Sequence, residues 1–231
     1  LYDCKKGTYV PCNIDQLKIL ENAGARQSET IHFGLNDMEN VGFSWILLGW
    51  KVKILKRPIY NEELTINTWG RDSNRIFTYR DYEIYDESGE LCAIATSKWA
   101  IVDINTGKLR ELTPEIIEKY QCETKKVFEE DYTLKLKEPV TIIRKQEYKA
   151  QRRDIDINKH IHNLYYLDYA YEVLPEEVYE APECNNIEIM YKKQIRLNDE
   201  FKCLYTKEEN QNIVTMKSED ETTLHAIIKL Y

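Results

Sequence analysis

The chain has 231 residues, 42% hydrophobic and 11% aromatic with only 8 Gly and 6 Pro, so it carries enough apolar material for a sizeable core and lacks the composition of a disordered segment. A formal net charge of −8 argues against general nucleic-acid binding, where a basic footprint supplies most of the affinity, and the most apolar stretch, Phe43 to Trp50, falls far short of the roughly 18 apolar residues of a membrane span. The six cysteines, Cys4, Cys12, Cys92, Cys122, Cys184 and Cys203, contain no C-x-x-C pair, which argues against a zinc knuckle or disulfide framework and for reduced packing residues.

The opening Leu1 to Lys6 shows no charged-then-apolar export pattern, and a chain starting at Leu is expected to have lost a leader or initiator. Ile14, Leu17, Ile19, Leu20 and Ala23 recur at helical intervals, which predicts a first helix over Ile14 to Ala25 with Asn13 as N-cap and Gly24 near its end. Strand-like runs follow at Ser44 to Leu55, Glu63 to Trp69, Arg75 to Tyr85 and Leu91 to Val102. The breaks between them carry Arg57-Pro58, Gly70 with Asp72 and Ser73, Asp86 to Gly89 and Asn105-Thr106-Gly107. A short helix over Thr113 to Tyr120 is capped by Thr113 with Pro114 in its first position. The charged stretch 123–138 reads as a linker. Beyond it come a strand-like segment at Ile142 to Ile155, an aromatic helix at Ile161 to Val173, and strands at Asn186 to Leu197, Glu200 to Thr206, Ile213 to Ser218 and Thr222 to Leu230.

Both halves thus run helix then strands, which suggests two copies of one α+β unit. A helix with one apolar face is economically buried by wrapping it in a curved antiparallel sheet, the hotdog arrangement. The expectation is a double hotdog: an N-terminal unit over 1–122, a linker over 123–138 and a C-terminal unit over 139–231 that carries the chemistry.

Asp156, Asn158 and His160 alternate with Ile155, Ile157 and Ile161 where the strand pattern gives way to the helix. In extended chain, positions two apart point to one side, so the polar three would face a cleft while the isoleucines are buried. The adjoining helix start would add unpaired backbone N–H groups for an oxyanion. Two other readings stand beside this one. Asp and Asn ahead of a helix commonly serve as N-caps. His160, His162 and a carboxylate are also metal-ligand types, though a site needs three or four that converge, and no metal is expected.

The segment Asp156-Ile157-Asn158-Lys159-His160-Ile161-His162-Asn163-Leu164-Tyr165-Tyr166 resembles the D-x-N-x-H-x-x-N-x-x-Y block of plant and bacterial acyl-acyl carrier protein (ACP) thioesterases. The first half follows the same family's order in Trp45-Ile46-Leu47-Leu48, Arg57-Pro58, Leu64 to Trp69, Arg80-Asp81-Tyr82-Glu83-Ile84, Gly89 and Ser97 to Asp103. The resemblance implies hydrolysis of the thioester between a fatty acyl chain and the phosphopantetheine arm of ACP, with release of free fatty acid in fatty acid biosynthesis. It also implies a cytoplasmic, bacterial setting and no cofactor; a homodimer is compatible with it. Asp156, Asn158 and His160 match the family's catalytic positions. Gln194, in Tyr191-Lys192-Lys193-Gln194-Ile195, stands where a catalytic Glu is expected, and Ile195 where plant members carry Cys. An amide orients water or a neighbour but does not accept a proton as a carboxylate does. An acyl-CoA thioesterase, a hotdog hydratase and a non-catalytic acyl-thioester binder are the alternatives. Arg152-Arg153, Lys192-Lys193 and the group Lys51, Lys53, Lys56, Arg57 are candidate contacts for acidic ACP, and Trp45, Trp69 and Trp99 are core residues or an acyl-chain lining.

Overall fold

The computed structural model describes residues 2–3, 8–9, 13–59, 62–71, 75–130, 133–179 and 184–231. Cys4, Cys12, Asp72, Ser73 and the side chain of Asn13 lie outside the described residues. Two compact units divide the chain, Leu1–Tyr132 and Thr133–Tyr231. No helix of the described residues is long and apolar enough to cross a membrane.

The first unit contains a two-stranded ribbon of β1 (Tyr2–Asp3) and β2 (Thr8–Tyr9), then helix α1 (Asn13–Thr30) and a short α2 (Met38–Val41). Strands β3 (Phe43–Ile54), β4 (Thr65–Gly70), β5 (Phe77–Tyr85) and β6 (Leu91–Asp103) follow, then β7 (Leu109–Arg110) and α3 (Pro114–Tyr120). The sheet is antiparallel in the order β4-β5-β6-β3, with β7 on β6. Helix α1 runs five residues past the predicted Ala25 because Gly24 is not a stop. A Cβ at Gly24 would stand 2.7 Å from the Tyr82 hydroxyl, so the glycine permits close approach of helix to sheet. Leu17 and Leu20 are fully buried on the same helix, and the Arg80 guanidinium donates to the Gln27 side chain at 2.6 Å. Helix α3 forms as predicted, with the Thr113 hydroxyl accepting from the Ile116 N–H and Ile116 joining Phe33, Phe43, Ile101 and Leu112 in a core cluster.

Trp45 packs against that cluster, and Trp69 is buried with its indole N–H on the Lys125 carbonyl at 3.0 Å, so both belong to packing. Lys125 also reaches Glu83 at 2.7 Å, and the Val127 N–H donates to Asp81 at 3.0 Å. Arg80 and Tyr82 meet α1, so by the two-residue period of a strand Asp81 and Glu83 lie on the opposite face. The charged stretch after α3 is therefore docked on that face by buried carboxylates.

The second unit has strand β8 (Arg144–Lys149), helix α4 (Tyr165–Glu172), a short α5 (Glu176–Tyr179), and strands β9 (Asn186–Tyr191), β10 (Glu200–Glu208), β11 (Gln211–Ser218) and β12 (Leu224–Leu230). Its antiparallel sheet runs β9-β12-β11-β10-β8. Helix α4 buries Tyr166, Leu167 and Ala170. It is eight residues long and starts four residues after the predicted Ile161, because Ile161 is engaged in a β-bridge to Ile155. Likewise β8 and β9 end short of the expected Ile155 and Leu197, since the chain leaves the main sheet there to build a separate structure.

Asp81 has no exposed surface, and burial raises its carboxyl above the usual range against the opposing pull of Thr96, the Val127 N–H and Arg71. A carboxyl with a raised folded pKa favours folding fully below its unfolded value of about 3.9 and loses that contribution as pH rises through the folded value. Asp81→Asn keeps an acceptor for Val127 without the charge. It should raise the thermal midpoint relative to the parent at neutral pH and lose that advantage in acid; a midpoint difference that does not vary with pH would contradict this account.

Candidate active site

The residues singled out in the second unit lie on a small patch of three paired segments. Bridges join Ile155 to Ile161 and His160 to Arg196. The Asp156 N–H donates to the His160 carbonyl at 2.9 Å, His162 to Asp154 at 2.8 Å, and Ile161 to the Ile195 carbonyl at 2.8 Å. Between the first two segments the chain reverses: the Lys159 N–H donates to the Asp156 carbonyl at 3.0 Å, and Lys159 takes a left-handed φ of 64°. Hairpin loops of three residues commonly end on such a left-handed residue.

This turn corrects the expectation of one extended strand. Ile157 is 67% exposed at the tip rather than buried. Period-two alternation survives only across the paired residues: Ile161 and Ile195 are buried, whereas Asp156, His160 and Arg196 occupy the alternate row. Asp and Asn two residues apart are also a turn composition, since an Asp side chain can bond the backbone two residues on. Here Asp156 Oδ1 accepts the Asn158 N–H at 2.8 Å and the His160 N–H at 3.3 Å. The Asn158 amide reaches Asp156 Oδ2 at 3.5 Å.

The helix start does not serve the site as expected. The N-cap position of α4 is Leu164, without a side-chain cap, so neither Asp156 nor Asn158 caps the helix. Its first N–H groups have partners nearby: Leu164 donates to His162 Nδ1, Tyr165 to the His162 carbonyl and Leu167 to the Leu164 carbonyl. What α4 supplies instead is support. The Tyr166 hydroxyl accepts from the Ile195 N–H at 3.1 Å, and the Tyr169 hydroxyl donates to Asp154 at 2.7 Å. Asp154, 4% exposed, also takes the Gln151 N–H at 2.7 Å and anchors the first segment. No spacing in the sequence marks Tyr166, Tyr169 or Asp154 for this supporting role.

His160 is half-buried, and burial lowers its imidazole pKa below the usual range; the charge of Asp156 opposes that shift and Arg196 adds to it. The ring is thus neutral at neutral pH, with the charge of a carboxylate acting on it. Gln194 lies past the end of β9 and is exposed; it is tied to the hairpin through Ile195, with no hydrogen bond of its own among the described residues.

The acyl-ACP thioesterase N-terminal domain is matched over residues 12–120 and the acyl-ACP thioesterase C-terminal domain over residues 137–229. The chain belongs to the acyl-ACP thioesterase family. It is 27% identical over 206 residues to oleoyl-acyl carrier protein thioesterase 2 of Arabidopsis thaliana, covering 78% of this chain and 56% of that protein. With the oleoyl-acyl carrier protein thioesterase of Coriandrum sativum it is 25% identical over 219 residues, 86% of this chain and 58% of the relative. The chain therefore spans a little over half the length of these oleoyl-acyl carrier protein thioesterases. An acyl-ACP thioesterase structure from Bacteroides thetaiotaomicron superposes with a TM-score of 0.82 at 22% identity, over 97% of this chain and 96% of that one. The 12:0-ACP thioesterase of Umbellularia californica gives 0.84 at 15% identity, over 96% and 94%. At such identities the likeness speaks for the fold, which is the α+β double hotdog expected from the order of elements.

The geometry of this thioesterase-family hairpin yields a test independent of turnover. Because the Asp156 charge props up the His160 pKa against burial and Arg196, Asp156→Asn should move the His160 titration further down in an NMR pH series. An upward move, or none, would show that the carboxylate does not act on the ring.

Proposed function

We propose that this chain is a thioester hydrolase that releases free fatty acid from acyl-ACP, with Asp156, Asn158, His160 and Gln194 as its site residues. The observation that carries the reading is the closed hairpin, which brings the Asp156 carboxylate and the neutral His160 imidazole onto one row of a patch beside an exposed Asn158. Membership of the family supports the substrate class. In this mechanism His160 takes a proton from water as the oxygen attacks the thioester carbonyl. The C–S bond breaks when the tetrahedral adduct collapses, and the proton passes to the departing phosphopantetheine sulfur. Asp156 stabilises the imidazolium that forms in between, and the Asn158 amide is a donor toward the acyl oxygen. Gln194 orients the water.

The competing route is direct attack by Asp156 to form an anhydride. One carboxylate oxygen already holds two backbone N–H groups, which lowers its nucleophilicity and supports the water route. Single-turnover hydrolysis in oxygen-labelled water should leave the Asp156 carboxylate unlabelled. Label in that carboxylate would establish the covalent route. Asp156→Ala should lower kcat by about 10²- to 10⁴-fold, the usual scale for loss of an acid–base partner. Unchanged turnover would remove Asp156 from the site, and thiol release from acyl-CoA but not acyl-ACP would replace the carrier-protein reading by its alternative.

ACP is acidic, and this chain is acidic overall, so recruitment needs a local field. Arg152, Arg153, Lys159, Lys192, Lys193 and Arg196 are all exposed on the hairpin and the segments that flank it, and we assign docking of the carrier to them. The group around Lys56 is a weaker candidate, because Lys56 bridges Asp86 and Glu90, each at 2.5 Å. Reversing both Arg152 and Arg153 to Glu should raise KM for acyl-ACP several-fold with kcat kept, and the effect should shrink as salt rises. Equal KM values at low salt would exclude that pair from docking.

A further inference from the structure

Gln194 is one residue between two grips. On its C-terminal side the Ile195 N–H is held by the Tyr166 hydroxyl at 3.1 Å and the Ile195 carbonyl by the Ile161 N–H at 2.8 Å. On its N-terminal side the chain has left β9, yet the Lys192 and Lys193 N–H groups both donate to the His225 carbonyl, at 2.8 and 3.3 Å. The His225 ring closes the same grip from the side, with Nδ1 2.9 Å from the Lys193 carbonyl. His225 is 5% exposed at the start of β12, outside the motif that marks the site in sequence. An exposed side chain whose own backbone is fixed on both sides is the arrangement expected where a polar group must be held ready for a ligand.

We infer that His225 is a positioning residue for Gln194, its ring N–H locking the Lys193 carbonyl so that the Gln194 side chain is presented beside the Asp156–His160 hairpin. The inference rests on the proposed role of Gln194 in the site. A carbonyl only accepts, so the bond places a hydrogen on Nδ1 and leaves Nε2 bare in the neutral ring. Burial, the largest influence, lowers the His225 pKa and keeps the ring neutral; its bond to Lys193 and the charge of Asp199 oppose that, and the Lys193 charge adds to it. The donor's position, rather than the charge of the ring, is what fixes the loop. A shift of a catalytic group by about 1 Å can cost up to 10²-fold in rate, so a lost grip here is legible in kcat.

Two amide replacements separate position from mere polarity. His225→Asn keeps an N–H donor where Nδ1 stands, whereas His225→Gln carries it to where Nε2 stands. In steady-state hydrolysis of an acyl-ACP, the Asn variant should retain kcat to within about threefold. The Gln variant should lose about tenfold or more with KM unchanged, and in a Gln194→Ala background it should lose nothing further. The Gln194 amide resonance should move in the Gln variant and stay in place in the Asn variant. Equal kcat and equal spectra for the two variants, or losses that multiply in the double variant, would overturn the inference. Full activity of Gln194→Ala alone would instead overturn the role of Gln194, while the resonance comparison would still report whether His225 sets its backbone.

Discussion

Asp156 Oδ1 takes the N–H of Asn158 and the N–H of His160, and the site proposed for this chain depends on that one oxygen. Hydrogen bonds to a charged acceptor contribute roughly 1.5–3 kcal/mol each, enough to hold a turn whose last residue, Lys159, sits in the left-handed region at a cost of about 1–3 kcal/mol. The same carboxylate acts through its charge on the imidazole of the residue whose N–H it holds. Structure and chemistry share a group, so removing the carboxylate disturbs both the hairpin and the charge felt by His160. Asn in its place retains the backbone bonds and removes only the charge, which is why that substitution isolates the electrostatic half.

The main strands of the first unit and α3 are readable because they obey local rules. Alternation and turn residues set the four strands β3 to β6 within two residues of expectation, and Thr113-Pro114 marks a helix start by cap chemistry alone. Errors arose where tertiary contact overrides a local signal. Gly24 looks like a helix stop but is a contact point for Tyr82. Ile161 looks like the first residue of an apolar helix face but pairs with Ile155. At the site, the residues were legible while their conformation was not: Asp-Ile-Asn-Lys-His satisfies both a strand alternation and an Asx turn, and only the partner segment at Ile195 decides between them. His225 and Asp154 had no legible role at all, since each acts on chain brought near by the fold.

Both units use aspartate the same way. Asp81 takes the Val127 N–H, Asp86 those of Ser88 and Glu90, Asp103 those of Asn105 and Thr106, Asp154 that of Gln151 and Asp220 that of Thr222. A carboxylate accepts from several directions, which suits loops whose N–H groups have no ladder partner. Part of the chain's negative charge is therefore occupied in tying down its own loops, and the net value of −8 is a poor guide to the field at any one place.

The hairpin shows the consequence. Around it Arg152, Arg153, Lys159, Lys192, Lys193 and Arg196 are exposed, while the nearby carboxylates of Asp154, Asp156 and Asp199 are turned toward backbone N–H groups. A positive surrounding favours the negative charge that develops on a thioester oxygen under attack, and Arg196 joins burial in keeping His160 unprotonated. Asp156 opposes that effect. On the proposed mechanism the neutral imidazole of half-buried His160 is the proton acceptor, which leaves the Gln194 amide to orient water rather than to take a proton.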